Sequence, residues 1–189
     1  MANHVQCSIS ANTNEAGQAV WDKIIEKLDE NKSPDSPWGM EVSLHVLFED
    51  APEDLTRDWM CDNVGAKWAY AQDWDESYLN TQSAWSPVTE FAMHISELIS
   101  AVDPDAVITM TYEDEFYNFI GLARYEHGEE VWDESLEYDE LIERLRHNVA
   151  ELADLWDEDE MDWTDEYDAQ ELISEYIHDE VWQWMDERQ

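Results

Sequence analysis

The spacing of apolar residues changes once along this chain, close to Gly128, and that change limits the folds available to it. Before Gly128, short segments such as 5–10 alternate apolar and polar residues, and segments with apolar residues at helical spacing separate them. After Gly128, two stripes at helical spacing follow, one over about 135–156 and one that ends near Met185. The elements predicted for the first part are strand 5–10, helix 14–30, strand 41–49, helix 52–63, a hairpin over 67–85, helix 87–100, and strands 106–113 and 116–126.

This order of elements, with short connections, predicts an α+β fold in which helices cover one face of a mostly antiparallel sheet. We expect two domains. Residues 1–130 form the α+β domain, and residues 131–189 form an appended pair of acidic helices. The apolar stripes of these two helices consist of Leu141, Ile142, Leu145, Val149, Leu152 and Leu155, and of Leu172, Ile173, Tyr176, Ile177, Val181, Trp184 and Met185.

The net charge of the chain is extreme, because 48 acidic residues face only 9 Lys and Arg, which gives −39 at pH 7. Direct binding to a nucleic-acid backbone depends on Lys and Arg, so this composition excludes it. The chain is nevertheless 43% hydrophobic with 11 Trp, whereas disordered segments are poor in aromatic residues. Residues 126–189 hold 25 acidic and 3 basic residues, which predicts a folded acidic surface toward the end of the chain.

The most acidic segment, WDEDEMDWTDEYD at residues 156–168, places eight carboxylates in thirteen positions together with two Trp and a Tyr. A calcium-binding EF-hand loop that began at Asp157 would need Asp or Asn at its fifth position and Gly at its sixth. Met161 and Asp162 stand there instead, so we expect no metal site. We predict a folded connection between the two acidic helices rather than a disordered tail.

Motifs of other chemistries do not occur in the chain. The His residues lack HExxH spacing, Cys7 and Cys61 form no CxxC pair, and no Walker, GxSxG or GxGxxG motif is present. We therefore expect neither an enzyme nor a cofactor. The first residues, MANHVQCSIS, show no signal-peptide pattern, and no run of about 18 apolar residues occurs. This pattern predicts a cytoplasmic protein that does not bind membranes.

Three segments of the chain together resemble the YubB-type ferredoxin-like domain family of phage and plasmid proteins, namely DWMCDNVGAKWAYAQ (58–72), TQSAWSPVTEFAMHISELI (81–99) and TYEDEFYNFIGLARYEHGE (111–129). The resemblance covers about residues 40–129. The family tends to open with Asn-Trp-Cys, whereas this chain reads NHVQC at residues 3–7. The resemblance implies a ferredoxin-like fold, a mobile-element origin and a bacterial host cytoplasm, but little about activity. The matching residues are Asn63, Gly65, Lys67, Trp68, Ala84, Trp85, Ser86, Pro87, Tyr112, Glu115, Phe119 and Gly121.

The segments around Lys67 and around Trp85 have two interpretations. Either they frame a pocket, or their residues only support the fold. In the second interpretation, which we favour, the Trp residues belong to the core and Ser86 caps the helix that follows. Lys67 and Arg124 are rare cations in this chain. We expect them to pair with nearby carboxylates.

The acidic surface of the last two helices is the remaining candidate site. Acidic residues recur at i+3 or i+4 on the last helix, where Cβ atoms lie about 5–6 Å apart, and this is comparable with the spacing of phosphates. Because such like-charged pairs lower helix stability, they call for an explanation. One explanation is mimicry of DNA, and the other is adaptation to high salt. The concentration of acidic residues near the end of the chain favours mimicry. A less regular polar face is expected on the preceding helix at Glu137, Glu140, Arg144, Asn148 and Glu151.

We therefore predict a DNA-mimic inhibitor that occupies the nucleic-acid-binding surface of a basic host protein or complex, such as a restriction, CRISPR or other anti-phage defence complex. The alternative is a small-molecule or catalytic role for the ferredoxin-like domain, with an acidic surface that only confers solubility or salt tolerance. The sequence identifies neither the target nor the oligomeric state, and a homodimer is one option. Rigidity or central contacts are assigned to Trp163, Tyr167, Trp182 and Trp184. The predicted partner-binding residues are Asp157, Glu158, Asp159, Glu160, Asp162, Trp163, Asp165, Glu166, Asp168, Glu171, Glu175 and Asp179.

Overall fold

The computed structural model describes residues 3–32, 42–157 and 159–188. The chain divides into two compact units. The first takes in residues 1–116 and 121–134, and the second takes in residues 117–120 and 135–189. The predicted division between residues 130 and 131 falls inside a single strand.

The sheet consists of β1 (His4–Asn12), β2 (Val42–Ser43), β3 (Ala69–Trp74), β4 (Leu79–Ala84), β5 (Val107–Asp114), β6 (Phe119–Glu126) and β7 (Glu129–Glu137). These seven strands are antiparallel and follow the order β2-β3-β4-β1-β5-β6-β7. β1 is central, because it pairs with both β4 and β5 and places Cys7 between Thr81 and Tyr112. The arrangement fits a ferredoxin-like α+β fold, and the predicted fold class is confirmed.

The helices of the first unit are α1 (Glu15–Glu30), α2 (Arg57–Asn63) and α3 (Thr89–Ser100). α1 begins after Asn14, whose side-chain oxygen accepts the backbone N–H groups of Ala16 and Gly17. α1 and α3 contact each other closely at Gly17, where an added Cβ would lie 2.9 Å from Ile99 Cγ2. The apolar faces that these two helices bury consist of Trp21, Ile24 and Leu28, and of Phe91, Ile95 and Ile99.

The strand predicted at 41–49 is wrong over most of its length. Only Val42–Ser43 is a strand, and a 3-10 helix follows at Leu44–Leu47; residue 41 lies outside the described residues. Leu44 and Leu47 are both buried. Residues at i and i+3 lie on the same side of a 3-10 helix, so this short turn buries two apolar residues that the alternating pattern would have separated.

The acidic strand β7 is not among the elements predicted from the sequence. Its burial pattern alternates only between exposed and partly buried positions, so it lacks the apolar alternation that identifies a half-buried strand. Glu129, Glu130, Asp133, Glu134 and Glu137 make up more than half of it. Because β7 is the last strand in the sheet order, its charges suit an edge strand, where they oppose pairing with other chains.

The second unit contains α4 (Tyr138–Asn148), α5 (Ala150–Ala153), β8 (Trp156–Asp157), β9 (Asp162–Trp163) and α6 (Glu166–Asp186). The single helix predicted over about 135–156 is therefore interrupted. Val149 is extended, with φ −112° and ψ 108°, and it separates α4 from α5. The two predicted apolar stripes form the core of this unit, whose buried members are Ile120, Leu141, Leu145, Leu152, Ala169, Ile173, Ile177, Val181, Trp184 and Met185. Across the described ranges, no helix has the length and apolar character needed to cross a membrane.

Candidate functional site

The acidic segment that follows α5 is a folded hairpin. β8 and β9 pair so that Trp156 lies opposite Trp163 and Asp157 lies opposite Asp162. The two indole rings pack edge to face with centroids 4.9 Å apart. Thr164 closes the hairpin, because its backbone N–H and its hydroxyl both donate to the Leu155 carbonyl, at 2.8 and 3.0 Å. The described residues of the connection are therefore held by strand pairing and hydrogen bonds.

Three of the predicted partner-binding carboxylates shape that backbone. Asp157 Oδ1 accepts the backbone N–H groups of Asp159 and Glu160, at 2.9 and 3.1 Å, and so forms the hairpin turn. Asp162 Oδ1 accepts the N–H of Trp163 at 2.8 Å. Asp165 caps α6, because its Oδ1 accepts the N–H groups of residues 167 and 168. Each of these carboxylates thus has a local structural role that charge counting does not reveal.

The remaining predicted carboxylates are exposed, and no hydrogen bond or ion pair joins their side chains to another described residue. Glu158 lies outside the described residues. Along α6, successive acids are three or four residues apart, which is about 4.5–6 Å along the helix axis. The row of carboxylates on α6 faces away from the buried stripe of that helix and consists of Glu166, Asp168, Glu171, Glu175 and Asp179. Asp159 and Glu160 of the hairpin are also exposed, and together with the α6 carboxylates they form the exposed row.

The arginines of the second unit are held elsewhere. Arg144 pairs with Glu180 at 2.6 Å and with Glu187 at 3.3 Å. Arg146 pairs with Glu143 at 2.6 Å and lies 4.3 Å from the Trp156 ring centroid. Arg188 contacts Glu187 and the ring of Trp184. No Lys or Arg among the described residues therefore lies within 4.0 Å of a carboxylate in the exposed row.

The polar face predicted on the preceding helix is wrong at two positions. Arg144 Nε donates to Glu180 Oε1 at 2.6 Å, and Asn148 Nδ2 donates to Glu180 Oε2 at 2.9 Å. Both side chains thus contact α6. The Glu180 side chain is only 4% exposed, so a buried charge lies between α4 and α6. Glu137 and Glu140 belong to a capping box at the start of α4.

The four aromatic residues assigned to this region fall into two groups. Trp184 is buried, and Trp163 is half-buried against Trp156, so both contribute to rigidity. Tyr167 and Trp182 are exposed on α6. The Trp182 indole N–H donates to His178 Nε2 at 2.8 Å, which fixes this exposed ring beside the acidic row.

In the first unit, the segments around Lys67 and Trp85 lie side by side. The Ser86 hydroxyl donates to the Gly65 carbonyl at 2.7 Å, and the Trp85 N–H donates to the Asn3 carbonyl at 3.0 Å. The Lys67 ammonium lies 5.3 Å from the centroid of the Trp85 ring. Trp68, the neighbour of Lys67, packs against the rings of His4 and Tyr70.

The favoured interpretation of these residues is wrong for three of them. Trp85 is 56% exposed and adopts φ 74°, a left-handed backbone that is rare for a bulky residue. Ser86 is not a helix cap, because α3 begins at Thr89. Lys67 has an aromatic partner and no carboxylate partner among the described residues. Arg124 lies over the Trp132 ring at 5.2 Å.

Metal-ligating residues do not cluster in the part of the chain that the structure describes. No group of three or more His, Cys, Asp or Glu side chains there could hold an ion. Cys7 and Cys61 are free thiols. Burial raises the pKa of Cys7 to about 11, so its thiol stays protonated at neutral pH.

The similarity of this chain to known proteins is weak. No protein-family profile matches it, and no curated protein matches it. Among solved structures, it is similar to the crystal structure of a protein api92 from Yersinia pseudotuberculosis, which carries the family label DUF1281, with 21% sequence identity and a TM-score of 0.29. The match covers 49% of this chain and 33% of that chain. A similarity of this extent supports no argument about function.

Proposed function

We propose that this protein is an inhibitor that imitates nucleic acid and occupies the nucleic-acid-binding surface of a basic partner. One observation carries the proposal: a row of exposed carboxylates on α6 has no Lys or Arg partner among the described residues, and the arginines of its unit pair with other groups. Phosphates of one nucleic-acid strand follow one another at about 3.4 Å along the axis. The carboxylates of α6 repeat at about 4.5–6 Å along theirs, so their linear charge density is of the same order.

The position of these charges on the helix is costly for stability. Acids in the first turn, Glu166 and Asp168, interact favourably with the helix dipole. Glu171, Glu175 and Asp179 lie beyond that turn, where the dipole no longer compensates. Each like-charged pair at i+4 costs a few tenths of a kcal/mol. A charged row that lowers helix stability in this way favours a role in binding.

Electrostatic attraction supplies the mechanism. A surface of one sign of charge raises the rate at which an oppositely charged partner arrives, and added salt weakens this effect. Once bound, the protein excludes nucleic acid by competition. The resemblance of residues 40–129 to a phage and plasmid family is still a prediction, and it supports host defence complexes, including restriction and CRISPR complexes, as the target class.

Two variants with equal loss of charge test the proposal. The face variant is Asp168→Asn, Glu171→Gln, Glu175→Gln and Asp179→Asn. The control variant is Asp22→Asn, Glu26→Gln, Glu30→Gln and Asp54→Asn, which neutralises four exposed acids of the first unit. The partner is first isolated on the immobilised wild-type protein, with elution by duplex DNA, and is then purified. Its affinity for each variant is measured by calorimetry.

Mimicry predicts that the face variant binds at least tenfold more weakly than the control variant, and that duplex DNA competes with the wild-type protein. Equal weakening of both variants would reduce the acidity to a general surface property, as salt adaptation requires. Binding energy spread over a row also predicts small effects of single changes. A single reversal such as Glu175→Lys that abolished binding in a folded protein would point to a discrete site.

A second candidate function, ligand binding by the first unit, is favoured by Trp85. A bulky residue held in a left-handed backbone is strained, and such strain often marks functional sites. Deleting residues 131–189 would not separate the two candidates, because it would remove all of β7 except Glu129 and Glu130. The full-length variant Trp85→Asn separates the two candidate functions. Loss of partner binding in this variant, with binding retained in the face variant, would assign the function to the first unit.

A further inference from the structure

Trp182 is an exposed aromatic residue whose ring has a fixed position. It lies in the last turns of α6 and is 52% exposed. Its indole N–H donates to His178 Nε2 at 2.8 Å, and the two rings pack edge to face with centroids 6.0 Å apart. Trp is enriched among the residues that dominate protein interfaces. A ring that is already held in place loses little conformational entropy when it binds, so Trp182 is suited to contact with another molecule.

Two carboxylates flank this ring along α6. Asp179 precedes Trp182 by three residues and Asp186 follows it by four, so the three side chains share one face of the helix, with neighbouring Cβ atoms about 5–6 Å apart. All three are exposed, and they line an open groove together with His178 and Gln183. Within the described ranges, neither carboxylate pairs with a Lys or Arg, and neither kind of cation lies over the Trp182 ring.

An indole ring, a carboxylate and an arginine occur together twice elsewhere in the second unit. In both places the guanidinium lies over the ring, at 4.3 and 4.2 Å from its centroid. The same guanidinium pairs with a carboxylate, at 2.6 and 3.4 Å respectively. The two sets are Arg146 with Trp156 and Glu143, and Arg188 with Trp184 and Glu187. At Trp182 this chain supplies the ring and the carboxylates, so the matching cation would come from another molecule.

The chemistry of the groove limits which molecule fits. The two carboxylates and the net charge of −39 oppose an anion. A Lys ammonium suits the charge but acts as a compact point charge. The planar guanidinium of Arg can stack on the indole face and at the same time donate hydrogen bonds in its own plane. Because Asp179 and Asp186 flank the ring on successive turns, their oxygens are placed to accept such hydrogen bonds.

We infer that Trp182, with Asp179 and Asp186, binds an arginine side chain on the surface of a protein partner. The guanidinium stacks on the indole, and its N–H groups donate to the two carboxylates. This inference deepens the proposed function and rests on it for the choice of partner, since surfaces that bind nucleic acid carry Lys and Arg. The exposed row attracts either cation, whereas the groove at Trp182 selects arginine.

Two peptides of equal charge test this selectivity. One carries three Arg residues separated by Gly, and the other carries three Lys residues in the same positions. Each is titrated into the full-length ¹⁵N-labelled protein, where the Trp182 indole and the Asp186 amide report binding. The general attraction of the acidic chain is the same for both peptides. We expect saturable shifts with the Arg peptide at concentrations about threefold lower than with the Lys peptide, as stacking on an exposed indole allows.

Variants of exposed residues assign the preference to the ring and to its flanking charges. Trp182→Leu removes the ring and should abolish the preference for Arg, whereas Trp182→Tyr keeps an aromatic face and should retain part of it. Asp179→Asn combined with Asp186→Asn should weaken the Arg peptide about threefold more than Glu171→Gln combined with Glu175→Gln. The second pair removes the same charge from the same helix. All of these positions are exposed, so the variants should fold.

Three outcomes would overturn the inference: equal affinity of the wild-type protein for the two peptides, a preference for Arg that persists in Trp182→Leu, and equal weakening by the two pairs of charge substitutions. Each would leave the proposed function standing, because that function is tested by DNA competition and by the face and control variants. If those two variants weakened the partner equally while the preference at Trp182 persisted, mimicry would fail and the arginine site would remain.

Discussion

Replacement of Arg144 by Met should destabilise the second unit more than loss of any exposed charge. Glu180 is 4% exposed and accepts one hydrogen bond from Arg144 and one from Asn148. Without Arg144, a carboxylate stays buried with a single neutral donor. Breaking a buried ion pair in this way costs about 3–5 kcal/mol. Because Arg144 is itself 28% exposed, water reaches the site and we expect the lower end, about 3 kcal/mol.

Amide hydrogen exchange within α6 measures this loss, because it reports the opening of one unit even where the two units unfold separately. At Ile177 and Val181, both buried, the expected 3 kcal/mol corresponds to exchange roughly a hundredfold faster. Arg57→Met is the matched control. It removes the same charge from an exposed position of the first unit and should leave α6 unchanged.

The double variant Arg144→Met with Glu180→Met distinguishes the cost of an unpaired charge from the loss of favourable contacts. Replacing both partners of a buried ion pair by apolar residues is often neutral or stabilising. We therefore expect the double variant to exchange more slowly than Arg144→Met alone. The reasoning would be refuted if the single variant accelerated exchange less than fivefold, or if the second substitution added to the effect of the first.

Three further predictions concern the first unit and are checked by thermal unfolding. Gly121→Ala should lower stability by about 1–3 kcal/mol, as overpacking does, because a Cβ there would lie 2.1 Å from the Tyr112 ring; an unchanged Tm would contradict this contact. Trp85→Asn should be neutral or stabilising, since Asn tolerates φ 74° and the Trp85 ring is mostly exposed. A clear loss would show that the ring supports the fold. The hydrogen bond from the Thr13 hydroxyl lowers the pKa of Asp103 below its usual 3.8. The ionised carboxylate therefore stabilises the fold at pH values above 3.8. This stabilisation is lost as the pH falls through the lower pKa of the folded state. Asp103→Asn should therefore lower the Tm at neutral pH and match the wild type in acid, whereas an equal deficit at both pH values would assign the loss to geometry.

Elements with a strong apolar period could be predicted from the sequence. α1, α3 and α6 bury the stripes that their spacing indicates, and the α+β order follows from them. Residues 42–47 could not be predicted in the same way, because Val42, Leu44, Val46 and Phe48 alternate as in a strand, whereas Leu44 and Leu47 share one side only in a 3-10 helix. β7 has no apolar alternation to detect. The break at Val149 leaves the apolar period of its helix unchanged, so spacing alone does not reveal it.

The candidate site was predictable in its exposed part and not in its buried part. Carboxylates opposite an apolar stripe must face water, and the predicted ones on α6 do, from Glu166 to Asp179. The partners of Glu180 depend on how α4 and α6 pack, which is a tertiary property. Spacing along the sequence does not show how two helices pack, so it placed Arg144 on the polar face. Trp85 was assigned to the core because large apolar residues usually are buried, and its exposure is a property of the local backbone.

Under the proposed function, the acidic residues of the second unit have two roles, and the structural role supports the binding role. Asp157, Asp162 and Asp165 hold the hairpin and the start of α6 through hydrogen bonds to backbone N–H groups. The other carboxylates are thereby presented on a backbone that is already ordered. A binding surface ordered before it meets a partner loses less conformational entropy on association. Neutralising Asp165 should therefore weaken partner binding by loosening α6, whereas neutralising Glu175 alone removes one charge among many; measuring amide exchange and partner affinity in both variants separates order from charge.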